Sequence, residues 1–311
     1  MGILLVLVAG CFASLSNFCM RRSIDSGGTS QVYLMIQLSF ATMVALLIGP
    51  IRTQEFALNG GIAFLGLGAG LVLGLMFLTL GRALEQGPPG LTFAILNAST
   101  VMPAVAMATL FGAAFGYIYT PWHALGSVLV LAGLFWAGRG LEGLKDKRSW
   151  LLFATLTFTC HLIFLVVMQW RALVLNWPSP DDLGSIFSSR QMASQWFMPF
   201  IYLAAAGVQV CVYFFASERR KPKGAECFYG FIGGGANSIS TFFLIWATEV
   251  ASSLENIVIF PIFSVAIIVI CNFWGQRLYQ ERVNWKACQV CALGLLVGTI
   301  DWKALLAALG W

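Results

Sequence analysis

The charged side chains of this chain fall in short clusters, and the stretches between them stay apolar for long runs. Those runs match the roughly 20 helical residues needed to cross a hydrocarbon core about 30 Å thick. In lipid every backbone N–H and C=O must be paired within the chain, which leaves helices or a closed barrel, and the period-2 alternation of a barrel is absent. Ten spans are predicted, at 2–19, 31–49, 60–80, 88–110, 121–138, 149–170, 194–216, 227–247, 253–272 and 285–302. Composition agrees: 10% of residues are charged and 59% are hydrophobic, with a mean hydropathy of +0.83. A soluble domain has roughly 25% charged residues.

The basic residues also set an orientation. Arg21, Arg22, Arg82, Arg139, Lys145, Lys147, Arg148, Arg219, Arg220, Lys221, Lys223, Arg277, Arg282 and Lys286 follow odd-numbered spans, 14 of the 18 basic residues. Only Arg52, Arg171, Arg190 and Lys303 fall on the opposite side. The positive-inside rule then puts both termini outside the cytoplasm. The long connection 172–193, with Asp181 and Asp182, is extracytoplasmic in the same scheme. The net charge of +5 is thus a matter of topology and headgroup contact, and no nucleic-acid partner is expected. Val8, Ala9, Gly10 and Cys11 resemble a lipoprotein cleavage box, but no basic residue precedes Arg21, so a first transmembrane helix is expected rather than a signal peptide. Cys288 and Cys291 form a CxxC inside an apolar helix with no second pair, which reads as packing.

An internal repeat subdivides the chain. Gly112 to Trp122 has the same spacing as Gly275 to Trp285, and the offset of 163 also pairs Leu91 with Leu254. With one residue of slippage Gly66, Gly70 and Glu85 pair with Gly230, Gly234 and Glu249. Each copy has five spans, an odd number, so consecutive copies enter the membrane in opposite directions, the inverted-repeat design of secondary transporters. The expected fold is an all-α polytopic membrane protein with ten transmembrane helices as two inverted five-helix repeats. The repeats, 1–140 and 149–303, lie in a single membrane domain over 1–311.

Carriers of this design bind their solute near the midplane, so polar groups stranded within spans are the candidates. Asn17, Gln37, Asn97, His161, Gln209 and Asn237 fit, and each can equally serve as a hydrogen bond between helices. Glu255, at the start of the ninth span, can bind a cationic group or carry a coupling proton if it faces the interior. At headgroup depth it is a solvated carboxylate favoured by the helix dipole. Asn256 beside it and Trp246 near the end of the eighth span complete the substrate-binding set. His161, the sole mid-span histidine, joins Glu255 as a coupling candidate. The fourfold-spaced Gly66, Gly70 and Gly74, and Gly230 with Gly234, are read as helix-packing sites. There is no HExxH, GxSxG, nucleotide loop or acidic cluster, so no catalytic residue, cofactor or metal is expected, and no enzyme activity.

Pro261, the run Arg277, Leu278, Tyr279, Gln280, Glu281 and Arg282, and Trp285 through Gly294 and Gly298 resemble the drug/metabolite transporter superfamily, in its ten-helix EamA-like branch. The first half keeps Pro103, Gly126 and Gly133, with Ile118 where the family has an acidic residue. The resemblance implies a carrier in the plasma membrane, bacterial by its branch, working by alternating access on a small polar metabolite. With no Lys or Arg placed mid-span, a neutral or zwitterionic solute is favoured over a multiply charged anion. An intramembrane lipid-modifying enzyme, and a channel or non-transporting membrane protein, are the alternatives.

Overall fold

The computed structural model describes residues 1–86, 89–115, 119–137, 146–176, 188–215, 220–251, 253–279 and 285–299, all of them in helices or their connections, with no strand among them. In chain order the helices are α1 (Gly2–Asp25), α2 (Ser30–Leu46), α3 (Gly60–Gln86) and α4. Helix α4 has three abutting pieces: Pro89–Ala98, a 3-10 turn at Ser99–Val101, and Met102–Leu110. There follow a 3-10 turn at Ala113–Phe115, α5 (Pro121–Ala137), α6 (Lys147–Asn176), a one-turn helix at Ser189–Met192, α7 (Phe197–Phe215), α8 (Gly224–Val250), α9 (Ser253–Tyr279) and α10 (Trp285–Thr299). Among the described residues 7 helices are long and apolar enough to cross a membrane. Ile95–Leu110 and Pro121–Gly133 are shorter apolar helices.

Several helices outrun their apolar runs. Helix α1 continues through Arg21 and Arg22 to Asp25, and α6 reaches Asn176. The hydrocarbon thickness limits the apolar run, whereas the backbone hydrogen-bond ladder continues into the headgroup layer as long as nothing breaks it. Trp150 is buried on α6, where its Nε1 donates to Thr92 Oγ1 at 3.1 Å.

The packing has a regular plan. Helix α1 lies against α8 and α9, while α6 lies against α3 and α4. Helix α3 packs on α7 and α8 on α2, and α2 meets α7 as α5 meets α10. Small residues set these distances. A Cβ at Gly66 would stand 2.7 Å from Phe200 Cβ, and one at Gly70 2.8 Å from Ala204 Cβ. In the other half a Cβ at Gly230 would stand 2.7 Å from Ile36 Cγ2, and one at Gly234 3.2 Å from Phe40 Cβ. The glycines are 164 residues apart between the halves, and so are the residues they receive. The main core gathers where α1, α2, α3, α6, α7, α8 and α9 meet, around Leu38, Ile62, Phe197, Tyr202 and Phe260.

The α5–α10 contact sets backbone directly against backbone. A Cβ at Gly126 would sit 2.6 Å from Gly298 N, with backbone on all sides. Backbone cannot move aside as a flexible side chain can, so Gly126→Val is expected to cost about 2 kcal/mol through overpacking. Gly207, where an added Cβ meets nothing within 4 Å, is the control. A Gly207→Ala protein with an unchanged melting midpoint in detergent, beside a lowered one for Gly126→Val, is the expected pair of results.

Candidate functional site

The end of α2 is shaped by Pro50. Proline has no N–H to give to the preceding turn, and the helix loosens into a π turn over Leu47–Ile51, with Gly49 at φ −88° and ψ −107°. Pro50 O accepts from Glu55 N at 3.1 Å, while Ile48 O accepts from Arg52 Nε at 2.7 Å. A Cβ at Gly49 would lie 2.8 Å from Gln195 O, so glycine allows the turn to rest against the chain entering α7. This local break aims Arg52 beside α8, with its guanidinium carbon 5.7 Å from the Phe242 ring centroid.

Here, between the ends of α2, α6, α7 and α8, lies a cavity of about 600 Å³. That volume is in the range of small-molecule sites. Arg52, Arg171 and Glu249 supply its charges, and Phe242, Phe243 and Trp246 its aromatic wall. The last three share a face of α8, with Trp246 6.1 Å from Phe242 and 6.2 Å from Phe243 between ring centroids. Arg171 is only 4% exposed; its Nη1 donates to Glu249 Oε1 at 2.7 Å. The same guanidinium lies 4.6 Å over the Phe197 ring, and its buried Nε has no hydrogen-bond partner. Two guanidinium groups against one carboxylate leave the lining with one net positive charge.

At the opposite end of the bundle polar contacts join the helix ends. Ser30 Oγ donates to Glu85 Oε1 at 2.6 Å. Glu226, buried in the first turn of α8, accepts from Thr29 N at 2.8 Å, from Lys223 N at 2.8 Å and from both terminal nitrogens of Arg220. The hydrogen bonds that Arg220 donates to Glu226 raise the guanidinium above its ordinary pKa. This network ties the α1–α2 turn to the α7–α8 connection.

The polar candidates read from the sequence are spread through the bundle. Gln37 Nε2 donates to Ser16 Oγ at 2.9 Å, and Gln209 Nε2 donates to Gly74 O at 2.8 Å. Asn237 Nδ2 donates to the Tyr202 hydroxyl at 3.1 Å, and Tyr202 donates to Asn237 O at 3.0 Å. These contacts join helices. Asn97 and His161 come together at the 3-10 break in α4: Asn97 Nδ2 donates to Phe93 O at 2.8 Å, and His161 Nδ1 lies 2.6 Å from Ser99 Oγ. Ser264 on α9 donates to Thr100 Oγ1 at 2.7 Å in the same knot. Asn17 is half-buried on α1. Glu255 lies at the cavity end of the bundle, 3.5 Å from the N-terminal amine and 26% exposed. Trp246 lines the cavity. The Asn256 side chain lies outside the described residues, as do Asp181, Asp182, Ile118, Glu281 and Arg282.

Sequence reasoning missed Arg52 and Arg171 as site residues and counted both as loop charges. Gly49 and Pro50 beside Arg52 were the available signal for a disturbed helix end. Arg171 carried none, because its partner is 78 residues away.

No family model matches the chain, and no curated protein does. Among solved structures 27 chains match. One is a crystal structure of a protein 15% identical in sequence, with a TM-score of 0.69 over 98% of each chain. At that identity the likeness shows the fold alone.

Proposed function

We propose that the chain is a secondary transporter that moves a small polar organic solute across the plasma membrane by alternating access. In this reading it is built as two inverted five-helix repeats of the drug/metabolite transporter kind, with both termini extracytoplasmic. The packing plan supports it: exchanging each helix with the one five places along maps the α1–α8 contact onto α6–α3, and the α3–α7 contact onto α8–α2. The α2–α7 and α5–α10 contacts map onto themselves.

The observation that carries the reading is a difference between two repeat-related pairs. Ser194 and Glu249 stand 164 residues after Ser30 and Glu85. Ser30 is hydrogen-bonded to Glu85, whereas Ser194 and Glu249 both line the cavity. Ser194 Oγ accepts from Trp196 N at 3.3 Å, and Glu249 takes Arg171. One end is latched and its counterpart is open, which is the relation alternating access requires of two halves that exchange conformations. By the loop charges the open end is the extracytoplasmic one.

Counterflow in proteoliposomes tests it. Preloading with the transported member of a panel of amino acids, sugars, nucleosides and organic acids is expected to accelerate uptake of labelled solute. Flux without acceleration would mean a channel, and lipid modification with no solute moved would mean an enzyme; either outcome overturns the proposal. For coupling, Glu255→Gln is expected to lower proton-driven uptake and spare exchange, while equal loss of both would make Glu255 a substrate contact.

A further inference from the structure

The cavity at the α2, α6, α7 and α8 ends has a charge and shape that select a ligand. A solute entering it meets Arg52, which carries no carboxylate partner among the described residues, and Arg171, half-satisfied by Glu249. Beside them stand Phe242, Phe243 and Trp246, the last two with ring planes 23° apart. A bare apolar molecule would leave the guanidinium groups without an anion. A dianion would exceed the single positive charge that remains after Glu249 is counted, and a cation would have to displace Arg171 from Glu249.

We infer that this cavity binds an organic monocarboxylate with a planar apolar body, its carboxylate held by Arg52 and its body stacked on Trp246 and Phe243. Guanidinium groups bind carboxylates through paired, charge-assisted hydrogen bonds that a neutral amide cannot reproduce. The flat body is recognised by area and stacking on rigid rings. That this ligand is also the transported solute rests on the transporter reading above; its binding does not.

The test is titration calorimetry on the full-length protein in phosphatidylcholine nanodiscs. Hydrocinnamate is the probe, and its neutral isostere hydrocinnamamide, phenylalanine and phosphatidylglycerol are the comparisons. Hydrocinnamate is expected to bind saturably and at least about tenfold tighter than the amide. Arg52→Gln is expected to erase that preference by weakening the acid alone, and Trp246→Ala to weaken acid and amide together. Absence of saturable hydrocinnamate binding, equal binding of acid and amide, or a preference that survives Arg52→Gln would overturn the inference. Tighter binding of phenylalanine would make the site one for zwitterions, and displacement of hydrocinnamate by added phosphatidylglycerol would make it a lipid-headgroup site; each overturns the assignment. Counterflow separates the two proposals. Saturable binding without exchange of any solute leaves the site and removes the carrier, while exchange of another solute untouched by hydrocinnamate leaves the carrier and removes such acids as its solute.

Discussion

Glu226→Ala is expected to lower stability by about 3 kcal/mol, measured as a fall in melting midpoint of the detergent-purified protein. The carboxylate is fully buried and accepts from two backbone amides and from both terminal nitrogens of Arg220. Alanine removes every acceptor at once. Thr29 N and Lys223 N then lose their partners, at a cost of about 1–3 kcal/mol for each group that stays buried. Arg220 is 34% exposed and regains some hydration, which holds the total toward the lower end of what breaking a buried pair costs. Glu226→Gln keeps one acceptor but turns an amide N–H₂ toward donors, so it is expected to lose part of the same stability. A melting midpoint unchanged by Glu226→Ala would mean that the α1–α2 turn and the α7–α8 connection do not depend on this network.

The second large effect is at the cavity. Glu249→Ala leaves the Arg171 guanidinium, 4% exposed, without its one carboxylate, and a loss of about 3 kcal/mol is expected. Removing both charges with shape kept, as in Arg171→Met combined with Glu249→Leu, is expected to recover most of that loss. A buried ion pair and an apolar pair of similar volume differ little in net stability. A coupling energy from the melting midpoints of the unsubstituted protein, Arg171→Met, Glu249→Leu and the double variant separates the lost partner from a general disturbance of α8. If the double variant is as unstable as Glu249→Ala, the pair is not what holds α6 to α8 at this end.

Helical membrane character and the glycine stripes were legible along the chain, for related reasons. Both are periodic local patterns: apolar length answers the thickness of a bilayer, and glycines four apart form one stripe on one helix face. Gly66 and Gly70 against α7, and Gly230 and Gly234 against α2, do what their spacing suggested. The mid-span amides were legible as buried polar groups, but not as to what they meet. Gln37 and Gln209 turn out to bridge helices through partners 21 and 135 residues away. Asn97 and His161 meet because α4 tightens into a 3-10 turn at Ser99–Val101, which no periodicity of apolar residues announces.

Apolar helices suited to a membrane are written in the chain's own pattern, because unpaired backbone in hydrocarbon is too costly and long apolar runs without period-2 alternation pair it only as helices. What each charge does depends on how the helices pack. Arg171 and Arg52 stand at the ends of apolar runs just as loop cations do. One becomes a buried partner of Glu249 and the other an open guanidinium beside an aromatic wall, because packing brings α2, α6 and α8 together around a cavity. A charge is stabilised by the groups that surround it in space, and those are 78 residues away for Arg171 and as many as 197 for Glu226.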